Sequence, residues 1–156
     1  YLTGLSTRSV TDEYIIRLIN KEDRFLVFML DLDDFKKIND TYGHNQGDKM
    51  LIFFSNVLKM IFKSHSMIAR YGGDEFIVVH KSSETIDLAN IKASIQQQIT
   101  KMSLDDEQKA SLKFSLGSSI YEPGMTIEDM LVKADNEMYR DKANNKNKRR
   151  RKDDSE

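Results

Sequence analysis

Arg70-Tyr71-Gly72-Gly73-Asp74-Glu75-Phe76 sets two glycines and two carboxylates between apolar stretches. A Gly-Gly centre flanked in this way reads as a β-hairpin, in which Gly72 and Gly73 are expected to take the positive φ angles of a tight turn. Asp74 and Glu75 then sit at the turn. Upstream, Asp31-Leu32-Asp33-Asp34-Phe35-Lys36 closes another apolar run, so a second strand also ends on carboxylates. If the two strands are neighbours, Asp31 and Asp74 converge. So small a set of hard oxygen ligands suits Mg²⁺, which keeps positions for substrate phosphates, better than it suits zinc.

Working outward, Ser9 to Asn20 places Tyr14, Ile15, Leu18 and Ile19 at helical spacing, and Arg24 to Leu32 is an unbroken apolar run of the kind a strand covered on both faces shows. Phe35 to Thr41 suits a short helix. Tyr42 to Gly47 is rich in turn formers, and a wide apolar stripe from Asp48 to Lys63 marks a core helix. Ser66 to Tyr71 and Glu75 to Lys81 are the hairpin strands. Ile86 to Met102 marks another amphipathic helix, with Ser83 as the expected cap. Phe114, Leu116, Ser118 and Ile120 alternate as in a strand with one buried face, and Pro123-Gly124 stops it. Thr126 and Asp129 have capping-box spacing ahead of a last helix with Ile127, Met130, Leu131, Ala134 and Met138 facing inward. Beyond Lys142 the chain is polar and charged, a composition expected to stay unfolded.

The 156 residues suit one domain with a substantial core. There are 24 basic and 25 acidic residues; the segment 146–156 holds six basic and three acidic ones, so the remainder is net acidic and a site for a polyanion needs local cations or metal. The absence of cysteine excludes disulfides, zinc thiolate sites and thiol nucleophiles. No apolar run approaches the roughly 20 residues of a membrane helix. A chain starting at Tyr1 reads as a piece of something longer.

The combined strings resemble the GGDEF domain, the catalytic module of diguanylate cyclases. The likeness is carried by Leu2-Thr3-Gly4-Leu5, Asp31-x-Asp33-x-Phe35-Lys36-x-Ile38-Asn39-Asp40, Gly43-His44-x-x-Gly47-Asp48, Gly72 to Phe76 and Ala134-Asp135, and so runs through nearly the whole chain. It implies an α/β domain over 1–145, with a mixed central β-sheet flanked by helices in the palm-like fold of nucleotide cyclases, and a disordered tail over 146–156. It implies a cytoplasmic enzyme that condenses two GTP into cyclic di-GMP plus two pyrophosphates across a homodimer of domains. An upstream sensor or membrane domain is expected in the parent protein, and no nucleic-acid partner. The alternative within the family is a weak or inactive GTP-binding module that acts as a regulatory partner.

The resemblance also assigns roles. Asp31, the Leu32 carbonyl, Asp74 and, less firmly fixed, Glu75 hold Mg²⁺ (or Mn²⁺), with Asp74 and Glu75 as the catalytic acids of the hairpin. Asn39 and Asp48 read guanine: a carboxylate accepts N1–H and N2–H in parallel, and an amide NH₂ serves O6 or N7. His44 lies in the same loop. The amides of Asp34, Phe35 and Lys36 cradle phosphate at a helix start, with the Lys36 side chain beside them. Lys142 and Lys146 match phosphate-contacting positions of the last helix. Here the chain departs from the pattern, with Asp141 for a small residue, Asn145 for glycine and Lys146 for arginine, which loses the bidentate fork. The inhibitory product motif Arg-x-x-Asp is replaced by Lys63-Ser64-His65-Ser66, so product inhibition through it is not expected.

Overall fold

The computed structural model describes residues 2–63, 65–82, 84–102 and 112–153. The elements follow the order α1 (Arg8–Asn20), β1 (Phe25–Leu32), α2 (Phe35–Tyr42), α3 (His44–Ile61), β2 (Ser66–Arg70), β3 (Glu75–Lys81), α4 (Leu88–Lys101), β4 (Phe114–Ile120) and α5 (Ile127–Asp153). The strands form one sheet in the order β2-β3-β1-β4. All three strand pairings are antiparallel, and the parallel component expected of a mixed sheet is confined to the single bridge Ser6–Ala69.

β1 is buried along its whole length because its alternate side chains enter two different cores. Leu26, Phe28, Leu30 and Leu32 pack with Phe54, Val57 and Leu58 of α3 and Ile95 and Ile99 of α4. Phe25, Val27 and Met29 pack on the other face with Ile15 and Leu18 of α1 and Met130, Ala134 and Met138 of α5. An apolar run without polar alternation is what such a double-faced position requires. Phe54 also meets the Phe76 ring edge-on at 5.3 Å and lies 5.5 Å from Phe114, tying the hairpin and β4 to one helix.

β4 departs from the expected single buried face. Phe114 and Leu116 enter the α3/α4 core, while the small residues Ser115, Gly117 and Ser119 admit α5 on the other face. A Cβ on Gly117 would collide with the Ala134 carbonyl oxygen and the Met138 amide nitrogen. Along the outer edge of β4, Glu137 accepts the Ser118 amide, Asp141 accepts the Leu116 amide at 3.0 Å, and Asn145 donates to the Phe114 carbonyl at 3.1 Å. Four helical residues rise about 6 Å and two strand residues about 6.6 Å, so a helix with polar residues at i, i+4 and i+8 can serve the edge a neighbouring strand would otherwise occupy.

Three boundaries differ from expectation. α3 begins at His44 rather than Asp48, because Gly43 alone, at φ 85°, makes the turn and Asn45, Gln46 and Gly47 form the first helical turn. α4 begins at Leu88, with Asp87 accepting the Ala89 amide at 2.9 Å; Ser83, the expected cap, lies outside the described residues. α5 runs to Asp153, so the segment expected to be disordered from Lys146 is helical where described. Lys and Arg are good helix formers, and elongating a helix already anchored at its start avoids the cost of nucleation. No described helix is long and apolar enough to cross a membrane.

The α5 cap is as expected: Asp129 N–H donates to Thr126 Oγ1 at 3.1 Å and Thr126 N–H to Asp129 Oδ2 at 2.8 Å. The Thr126 amide foremost, and then the Thr126 hydroxyl donating to the same Oδ2 at 2.9 Å, hold the Asp129 carboxyl below its ordinary range. A depressed carboxyl stabilises the fold above its unfolded pKa and loses that contribution as pH falls through the folded one. Asp129→Asn is therefore expected to melt earlier than the wild type at neutral pH, with the two melting curves converging in acid.

Candidate active site

The hairpin turn is built by its own polar groups. Tyr71 and Gly72 amides both donate to the Glu75 carbonyl, at 2.8 and 3.2 Å. The Arg70 guanidinium folds over the turn, donating to the Gly73 carbonyl from Nη2 at 2.7 Å and from Nε at 3.1 Å. Neither Gly72 nor Gly73 takes a positive φ, contrary to expectation. Gly72 instead packs against the Glu75 side chain, whose Oε2 would lie 2.6 Å from an added Cβ and would have to swing aside. The hairpin is pinned to the end of β1 by Leu32 N–H donating to the Asp74 carbonyl at 3.0 Å, and Asp31 sits opposite Glu75 in the β1–β3 register.

Asp74 and Glu75 consequently border two recesses. One, of about 440 Å³, is lined by Asp74 and Gly73 of the turn, Arg70, the start of α2 at Phe35 and Lys36, and Asn39, His44 and Asp48. The other, of about 430 Å³, is lined by Asp31, Glu75 and the α5 residues Asp135, Tyr139, Lys142 and Lys146. The expected base readers share the first recess with Asp74. The expected phosphate lysines share the second with Asp31 and Glu75. Asp34 lies in neither lining set; it is the residue before α2, in the left-handed region at φ 56°. The Leu32 side chain is buried in the core.

Charge is concentrated where the recesses approach. Asp31 is 7% exposed, and Lys142 Nζ donates to its Oδ1 at 2.8 Å. Burial foremost pushes the Asp31 carboxyl up, and the charges of Asp74 and Asp33 add to it, so that together they outweigh the downward pull of Lys142. On the lysine, burial acts downward, but the bond to Asp31 and the charges of Asp31, Asp33 and Asp74 hold the ammonium above its ordinary range. Asp33, 3% exposed, accepts from Ser115 Oγ at 2.6 Å and from Asn145 Nδ2 at 3.2 Å.

Among the described residues no group of three or more His, Cys, Asp or Glu side chains surrounds one point as a closed protein cage requires. Buried Asp31, opposite Glu75 in the sheet register and beside the acidic turn, is a donor set of the kind that fits a hard cation taking most of its ligands from water and phosphate. In the first recess, Asn39 Oδ1 is buried without a hydrogen-bond partner and lies where a Cβ of Gly47 would be. Gly47 thus makes room for the Asn39 side chain against α3, with its amide carbonyl turned inward.

The family model described as diguanylate cyclase, GGDEF domain, matches residues 1–148. The chain belongs to the GGDEF family. Diguanylate cyclase DgcP of Escherichia coli is 36% identical over 147 residues, covering 90% of this chain and 43% of that protein. The sensory box/GGDEF family protein of Caulobacter crescentus is 32% identical, with a TM-score of 0.75 over 92% of this chain and 96% of that one. The GGDEF domain of YfiN from Pseudomonas aeruginosa gives a TM-score of 0.80 at 27% identity over 92% and 87%. This GGDEF domain spans less than half the length of the first curated relatives it matches.

Several residues of the site carried no assignment in the sequence reading. Arg70 stands inside the quoted hairpin string, yet its role in closing the turn depends on carbonyls that only the fold directs at it. Asp33, Ser115 and Asn145 meet across β1, β4 and α5. For α5 a signal existed, since Glu137, Asp141 and Asn145 repeat every fourth residue in an otherwise charged helix.

Proposed function

We propose that this GGDEF domain makes cyclic di-GMP from two GTP in a dimer of domains. The observation that carries the reading is the adjacency of an amide-and-carboxylate recess, Asn39 with Asp48, to a carboxylate and lysine group, Asp31 with Asp74 and Lys142. Guanine bound by Asn39 and Asp48, with His44 at its rim, directs the triphosphate along the start of α2, where Phe35 and Lys36 line the recess. Lys142 and Lys146 meet the phosphates from the α5 side.

Each 3′-hydroxyl oxygen attacks the α-phosphorus of the GTP on the facing domain. The bond from that phosphorus to the bridging oxygen breaks, pyrophosphate leaves, and the hydroxyl proton passes to the acidic hairpin, Asp74 or Glu75. Two such steps close the ring. Asp31, the Leu32 carbonyl, Asp74 and Glu75 would hold a divalent cation, Mg²⁺ or Mn²⁺, which would supply neutralisation of the charge spread over the transferring phosphoryl group. One domain holds one guanine recess among the described residues, so catalysis requires a second copy.

The test is to incubate the purified chain with GTP and Mg²⁺ or Mn²⁺ at high protein concentration and identify products by mass spectrometry. Cyclic di-GMP, formed at a rate rising faster than linearly with protein, supports the reading; GDP or cyclic GMP overturns it. A second reading, GTP binding without turnover, is favoured by the altered α5 residues Asp141, Asn145 and Lys146, and is distinguished by bound, unchanged GTP. Asp48→Ala is expected to reduce the preference for GTP over ATP by about tenfold or more, because a site built to pair donors on the base loses its acceptor. Competition binding with the two nucleotides measures it.

A further inference from the structure

C-terminal to Met138, α5 places no side chain in either apolar core among the described residues, yet Lys142 in this stretch must meet Asp31. What attaches it is polar. Lys92 reaches round the β4 edge from α4, which packs on the opposite face of the sheet, and donates to both Asp141 oxygens at 2.6 Å and to Asn145 Oδ1 at 3.3 Å. Asp141 in turn accepts the Leu116 amide at 3.0 Å. Asn145 Nδ2 lies within hydrogen-bond distance of the Phe114 carbonyl, Ser115 Oγ and Asp33 Oδ2 at 3.1, 3.2 and 3.2 Å. Asp33 is two residues from Asp31 on the same strand end.

We propose that Lys92, Asp141 and Asn145 are positioning residues: together they clamp the distal half of α5 to β4 and to Asp33, and so hold the Lys142 ammonium at the triphosphate site. This rests on the reading of that site given above. The pair is only partly exposed, with side chains at 33% for Lys92 and 23% for Asp141, and its geometry is bidentate. A charge-assisted contact of this kind resists screening better than a surface pair does. Without it, the segment carrying Lys142 loses its tie to α4 and is left with the bonds of Glu137, Asp141 and Asn145 to β4 and Asp33 and with the Lys142 bond to Asp31 itself.

The chain contains no cysteine, so two introduced cysteines carry spin labels at chosen places only. Labels at Asn144→Cys on α5 and Lys21→Cys at the end of α1, both exposed residues, report the placement of the distal helix by electron–electron distance. The expectation is a narrow distribution in the otherwise unaltered chain, a broadened or shifted one in Lys92→Met and in Asn145→Ala, and recovery in Lys92→Arg. On unlabelled protein, the same two variants are expected to raise the KM for GTP about tenfold while kcat stays within about twofold, the signature of lost ground-state and transition-state binding in equal measure. Unchanged distances in both variants overturn the proposal, as does a fall in kcat at constant KM, or changed distances with an unmoved KM. If the unaltered chain neither binds nor converts GTP, the functional reading fails, and the distances alone decide whether the clamp places α5.

Discussion

Asp74→Asn is expected to abolish cyclic di-GMP formation, lowering the rate by about three orders of magnitude, a typical loss when a preorganised group at a developing charge is removed. The substitution keeps the shape of the turn, whose bonds run through the backbone of Tyr71, Gly72, Gly73 and Glu75 and the guanidinium of Arg70. It removes one of the few carboxylates that would hold a hard cation taking the rest of its ligands from water and phosphate. The loss is chemical, so the melting temperature should change little. An independent sign accompanies it: burial is the main reason the Asp31 carboxyl sits high, but the Asp74 charge contributes. In the metal-free variant Asp31 should titrate lower than in the wild type, which carboxyl-labelled NMR can follow. A variant that retains activity, or an Asp31 that titrates unchanged, would contradict the assignment of the pair.

Gly117→Ala should be the most damaging of the glycine-to-alanine changes. The added carbon meets backbone atoms of α5, the Ala134 carbonyl and the Met138 amide, and backbone cannot rotate away as a side chain can. Relief requires lifting the helix from β4, at a cost of about 3 kcal/mol or more, against a total stability of roughly 5–15 kcal/mol for a domain. Urea unfolding would show it as a lower midpoint, and the lifted helix would also draw Lys142 off Asp31. Gly73→Ala is the matched control: no atom lies within 4 Å of the added carbon and the backbone does not take a positive φ, so its stability should be close to wild type.

Much of this architecture is legible in the amino-acid order because its signals are local. The unbroken apolar run of β1, the Thr126 and Asp129 cap, and the pair of carboxylate-bearing strand ends each depend on neighbours within a few residues, and each is found in its expected place. The start of α3 is misjudged because Asn45, Gln46 and Gly47 are turn formers that a first helical turn also tolerates; Gly47 is there to admit Asn39. Gly72 sits against the Glu75 carboxylate, a neighbour that shows only once the hairpin is closed. Asp141 belongs to the four-residue repeat of α5, but Lys92 lies 49 residues away and nothing in the periodicity of α4 names it as the partner.

The row Glu137, Asp141 and Asn145 has one more consequence. Exposed sheet edges invite strands from other molecules, and proteins that avoid this cover them. Here the β4 rim is occupied by helix side chains, and the β2 rim is met by Ser6, which takes the Arg70 amide and gives its own to Ile68, each at 3.2 Å. A unit finished at both margins is portable. It can be joined in one polypeptide to unrelated neighbours without its sheet merging with theirs, a property suited to a module that makes up less than half of the longer relatives it matches.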